Sequence, residues 1–208
     1  MSTEHFSPDE SLKLIRNMID KTREEVSDDS KYFLVWGWGA FLACISEFIL
    51  KVIYKSPDHY KVWYVTFVCL AITIVIALSD KKREKVKTYV GESMGYLWSG
   101  LGITFLVVSI LFSRIGWEYC YPFFMVLYGL GTFVSGKILK YPPLVIGGLI
   151  SFMLAAISAW VSYDYQILCA AGALLASYII PAHLLRQRFQ KSKKLRQNTI
   201  LHQQDAGV

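Results

Sequence analysis

Charge is what this chain lacks over long distances. Only 18% of its 208 residues are Asp, Glu, Lys or Arg, where a water-soluble domain carries about a quarter. The shortage is also local. No charged side chain occurs in the 18 residues between Lys61 and Asp80, the 21 between Glu92 and Arg114, the 18 between Glu118 and Lys137, the 23 between Lys140 and Asp164, or the 21 between Asp164 and Arg186. Between Lys31 and Lys51 only Glu47 interrupts. A hydrocarbon layer about 30 Å thick is crossed by roughly 20 helical residues. Six segments have that length, at about 32–51, 62–79, 93–113, 119–136, 142–162 and 165–185. The outer helices of a soluble bundle need a polar stripe facing water. These segments have none, which excludes that class.

Other absences narrow the reading further. Strict apolar–polar alternation over about 10 residues, the mark of a membrane barrel strand, is missing from runs such as "YVTFVCLAITIVIAL". A basic start followed by an apolar middle is missing from the first 30 residues, so no secretory signal is expected, and neither end carries a lipidation motif. The four cysteines, Cys44, Cys69, Cys120 and Cys169, fall in four different segments with no C-x-x-C. They are expected as small packing residues, not redox or zinc ligands. No nucleophile elbow, H-E-x-x-H, Walker loop or dinucleotide glycine pattern occurs. The four histidines (His5, His59, His183 and His202) are scattered. A metal site needs several donors together. No catalytic residue, cofactor or metal is therefore expected.

What is present fits an all-α polytopic membrane bundle of six spans, residues 31–185. Alternating the spans with both ends on one side puts 18 of the 22 Lys and Arg on that side. Lys51, Lys55, Lys61 and Arg114 remain on the other. Basic residues accumulate in cytoplasmic segments, so both termini are expected to be cytoplasmic. Trp63, Tyr64, Trp117, Tyr119, Tyr121, Trp160 and Tyr163 stand near the outer ends of spans, the depth Trp and Tyr prefer.

Residues 1–30 are expected to form a cytoplasmic amphipathic helix. Ser7, Pro8 and Glu10 make a helix-start box. Leu12, Ile15, Ile19 and Val26 then share one face at helical spacing. Four basic and eight acidic residues give this segment a net charge of −4, which disfavours anionic headgroups and points to protein. The face either folds onto the chain's own loops or meets a partner or a second copy. The tail, 186–208, is basic: residues 185–208 hold six basic residues and one acid. That is the ordinary orientation signal of a cytoplasmic flank rather than a nucleic-acid site. The acidic helix and the basic tail could also attract each other.

Gly147, Ser151, Ala155 and Ala159 recur every four residues along the fifth span, a small-residue ridge where another backbone can approach. Packing within the bundle is expected, with dimerisation as the alternative. Gly131 and Ser135, and Gly172 and Ala176, offer matching surfaces. Three stretches also look alike: "GWGAFLACIS", "GLGITFLVVS" and "GGLISFMLAAIS". They suggest three helical hairpins in series. Pro181 should kink or terminate the sixth span locally.

Glu47 is the one carboxylate set within a span. It lies about 24 Å along a helix that starts near Lys31, so roughly 6 Å short of the outer boundary. Lys51, four residues on, can snorkel to the interface and pair with it. An interfacial Glu47–Lys51 ion pair is the simpler expectation. A transport or proton site is the sharper one, because intramembrane ionisable groups are costly and often functional.

The stretches "SLKLIRNMI", "FLVWGW", "GYLWSGLGI", "LYGLGTFVSGKILKYPPLVIGG" and "ASYIIPAHLL" cover most of residues 11–185. In these the chain resembles a group of small six-span inner-membrane proteins of Bacteroidetes-type bacteria. The resemblance implies the topology and a bacterial inner membrane, and brings no activity and no site residues. The expected role is that of an interaction or regulatory element, or scaffold, using the N-terminal helix. The alternative is a small-solute transporter or channel-like protein centred on Glu47. The expected partners are the lipid bilayer and a cytosolic or membrane protein or a second copy; nucleic acid is not expected.

Overall fold

The computed structural model describes residues 30–81 and 89–187, and all its regular structure is helical. Among the described residues six helices follow one another: α1 (Ser30–Ile53), α2 (His59–Ser79), α3 (Tyr89–Ile115), α4 (Cys120–Ile138), α5 (Pro142–Ser158) and α6 (Tyr163–Gln187). The face carrying Leu12, Ile15, Ile19 and Val26 lies outside the described residues, as does nearly all of the basic tail. The tight ends have local causes. Gly116 has φ +103° and its N–H bonds back to Phe112 O at 2.9 Å, so α3 ends on a left-handed glycine. Tyr141 is extended ahead of Pro142 and Pro143, which start α5.

α1, α2, α3 and α6 are long and apolar enough to cross a membrane, while α5 is apolar but has 17 residues. Their surface is the reverse of a soluble protein's. Within the most apolar windows of α2 and α3, only 6% and 11% of residues are buried. Phe67, Val75, Leu78, Ile103, Leu106 and Ile110 face outward. Contiguous apolar surface on that scale requires an apolar surrounding. Conversely, α4 is packed among other helices and buries Pro122, Gly129, Gly131, Thr132, Ser135 and Gly136. A helix shielded by its neighbours does not need the composition of one that meets lipid.

Glycines set how closely the rods approach. A Cβ on Gly148 of α5 would stand 2.8 Å from Gly129 O of α4, and one on Gly147 2.6 Å from Ala176 O of α6. A Cβ on Gly37 of α1 would meet Tyr178 Cβ at 2.9 Å. Backbone contact of this kind replaces the hydrophobic drive that lipid removes. The expected ridge is accordingly buried at Gly147, Ser151 and Ala155, and the Ser151 hydroxyl donates to Met125 O of α4 at 2.9 Å. Ala159 is not part of it. It lies beyond Ser158, the last residue of α5, and is exposed, while Ser158 takes the buried position. Each four-residue step drifts about 40° around a helix of 3.6 residues per turn, so three steps leave the face. Gly131 faces Leu101 and Trp98 of α3, not α5. The three similar stretches are used differently as well: Gly37 and Gly147 are tightly packed, whereas Gly100 and Gly102 meet nothing within 4 Å.

Pro181 neither stops α6 nor passes unanswered. The helix runs on to Gln187, and a wider π turn at Leu175–Ile179 comes just before the proline. A proline lacks the N–H that would bond four residues back and crowds that carbonyl. The wider turn accommodates both.

Replacing Gly147 by Ala should destabilise the bundle by about 1–3 kcal/mol, because backbone must move to admit one methyl. Gly100→Ala, in open space, should leave stability unchanged or raise it by up to about 1 kcal/mol. Thermal unfolding in detergent checks both; equal effects would contradict the packing described.

Candidate functional site

Glu47 is 1% exposed and points into the bundle from the last regular turn of α1. Four side chains from three other helices donate to it. From the start of α2, His59 Nδ1 lies 3.0 Å from Oε1 and Trp63 Nε1 donates to Oε2 at 2.6 Å. From the start of α4, the Tyr121 hydroxyl donates to Oε2. From the start of α6, the Tyr163 hydroxyl donates to Oε1 at 3.3 Å. An ionised carboxylate has about four acceptor sites and no donor, and each is used. The acceptor also fixes the histidine. Its Nδ1 must carry the proton it gives to Glu47, which orients the ring and leaves Nε2 on the other edge.

The expected Glu47–Lys51 pair does not form. Lys51 Nζ instead bonds Asp164 Oδ1 of α6 at 2.8 Å and sits 3.7 Å from the centre of the Tyr163 ring. Two things redirect it. From Ile49 to Ile53 the helix widens into a π turn, which shifts register by about one residue per turn and turns Lys51 off the line of Glu47. Asp164 also lies nearer to water than the filled Glu47, with its side chain 44% exposed. The carboxylate is therefore held by hydrogen-bond donors and the lysine by a different acid.

Above this cluster is a cavity of about 670 Å³ lined by residues from all three hairpin ends on this side of the bundle. Lys51 and His59 come from α1–α2, Trp117 and Glu118 from α3–α4, and Trp160, Ser162 and Tyr163 from α5–α6. His59 and Tyr163 both line the cavity and bond Glu47, so one layer of side chains separates the carboxylate from the opening. Gln166 also lines it. Its Nε2 donates to Val161 O at 3.2 Å, and its Oε1 has no hydrogen-bond partner.

Farther down the bundle the interior is filled. Phe33 of α1, Trp98 of α3, and Tyr128 and Tyr178 of α4 and α6 form a cluster with centroids 5.3–5.9 Å apart. The rings meet edge to face or tilted, as aromatic quadrupoles prefer. Tyr178, Met125, Leu144, Ile167 and Leu174 are among the fully or almost fully buried side chains. His183 lies near the other end, where Trp38 Nε1 donates to its Nε2 at 3.4 Å. Among the described residues no group of three or more His, Cys, Asp or Glu could hold a metal ion.

No family model matches the chain, and no curated protein or solved structure matches it at a significant level.

Sequence reasoning singled out Glu47 but missed its partners. His59 reads as a loop residue, and Trp63, Tyr121 and Tyr163 as interface aromatics. The usable signal was depth. The ends of α1, α3 and α5 lie beside the starts of α2, α4 and α6, so donors at those starts stand at the height of a carboxylate near the end of α1.

Glu47→Ala would leave four inward-facing donors unpaired and should cost about 3 kcal/mol or more. Lys51→Met breaks a half-exposed pair and should cost about 1 kcal/mol or less. Unfolding in detergent ranks the two; a reversed order would refute the assignment of partners.

Proposed function

We propose that this chain is a six-span integral protein of a bacterial inner membrane. Both of its ends are cytoplasmic, and it works as an interaction or regulatory element through the segments that flank the bundle. The observation that carries this reading is the filled interior. A conduit needs polar groups or broken helices at mid-depth. Here the middle holds mainly interlocked rings and aliphatic side chains; its buried hydroxyls at Thr132, Ser151 and Ser177 are spent on backbone carbonyls, those of Ser135 and Tyr178 have no partner, and the buried carboxylate is saturated by donors from its own chain. The distribution of Lys and Arg supports the direction. The apolar outward faces of α2 and α3 support spanning, and α4, packed among its neighbours, and α5, apolar with an outward face of its own, complete the count. The net −4 of residues 1–30 supports a protein partner over a lipid surface.

A second reading has one observation in its favour. Glu47 lies one side-chain layer beneath an open cavity, the position of a site that loads a solute or proton from one side. In that case Glu47 would alternate between its present partners and the cargo.

Deleting residues 7–27 from the full-length protein should abolish co-purification of a partner while the bundle stays monodisperse in detergent. Liposomes containing the intact protein should show no solute flux above empty vesicles. Flux that Glu47→Gln reduces would replace the first reading by the second.

A further inference from the structure

We propose that His59 is a proton port: its Nε2 takes up a proton from the cavity, and the imidazole–carboxylate pair with Glu47 holds that proton inside the bundle. Nδ1 is spent on Glu47 Oε1 at 3.0 Å, which leaves Nε2 with a bare lone pair. Nε2 bonds no described residue, yet it is not one of the sealed, unpartnered atoms, which are Ser135 Oγ, Gln166 Oε1 and Tyr178 Oη. The side chain is 22% exposed and lies on the cavity wall, so Nε2 meets solvent. The other donors to Glu47 offer no such entry. Trp63 has only an N–H to give, Tyr121 is 3% exposed, and Tyr163 presents a hydroxyl without a basic nitrogen.

The step needs one proton and has no leaving group. A hydronium ion in the cavity gives its proton to the Nε2 lone pair, an N–H bond forms there, and water remains. The proton on Nδ1 then either stays, giving imidazolium beside carboxylate, or crosses to Oε1, giving neutral imidazole beside carboxylic acid. Both arrangements keep the 3.0 Å hydrogen bond and displace no heavy atom, so the added proton belongs to the pair. The charged neighbours do not oppose it. Lys51, on the same wall, is paired with Asp164, and Lys61 with Asp58. Glu118, across the cavity lining from α3–α4, is an acid. The Tyr60 ring stands 6.1 Å from the imidazole, and the Cys44 and Cys120 thiols neighbour Glu47. The pair therefore registers the acidity of the side on which the cavity opens. The inference goes beyond both roles above: a regulator would sense that acidity, and a transporter would load that proton.

The test is nitrogen NMR of the full-length protein in detergent, with the histidine ring nitrogens isotopically labelled. His59→Gln, which keeps an N–H donor for Glu47, assigns the His59 signals by their loss. At about pH 8 Nδ1 should carry the proton and Nε2 should be bare, and by about pH 5 Nε2 should be protonated. The Nδ1–H proton should resonate far downfield at the higher pH, as a hydrogen bond to a carboxylate places it. Glu47→Gln should remove that displacement. A bare Nδ1 at about pH 8, an Nε2 still bare at about pH 5, or an Nδ1–H signal unmoved in folded Glu47→Gln would overturn the proposal. The wild-type spectra decide the first two points whether or not that variant folds.

Discussion

A carboxylate buried among apolar helices must be answered by its own protein, and one end of this bundle is arranged around that demand. Leaving such a charge unpaired in an apolar medium costs several kcal/mol. Glu47 of α1 is met by donors from α2, α4 and α6. Four helices are therefore held in register at one end by a single side chain. The donors are an indole, two phenols and an imidazole. Each brings an apolar body and a polar tip, so it fills space between helices and satisfies the acid at once. The lysine that could have served is released to the rim, where it holds Asp164 and the face of Tyr163.

The other end and the middle depend on shape. Helices in lipid gain little from burying one another's apolar surface, so they associate where backbones come close. Gly37, Gly147 and Gly148 mark those places, joining α1 to α6, α5 to α6 and α5 to α4. The π turns fall where regular helix would fail. One ends α1 beside the acid and the other precedes Pro181 in α6. Together these give a bundle with a packed centre and a recess at one end, bounded by the hairpin ends that the carboxylate ties together.

Much of this was legible from residue order. Charge-free runs of about 20 residues locate the helices, because a charge is what hydrocarbon tolerates least. The burial of Gly147, Ser151 and Ala155 follows from their spacing. The failures have physical causes. Ala159 was assigned by counting in fours, where the true period of 3.6 carries it off the face. Lys51 was paired by regular α-helical spacing, which a π turn breaks; no local sequence rule announces that turn. His59, Trp63, Tyr121 and Tyr163 are separated from Glu47 by 12 to 116 positions. Only the bundle as a whole brings them together.

The central claim is that Glu47 and its donors act as one hydrogen-bonded unit across the helices. A double-mutant cycle tests it directly: unfolding free energies in detergent for the wild type, Glu47→Gln, Tyr121→Phe and the combination. The account predicts that the losses do not add, with a coupling of about 1 kcal/mol or more. Strictly additive losses would mean that the two groups do not interact, and the carboxylate could not be what holds the helices together.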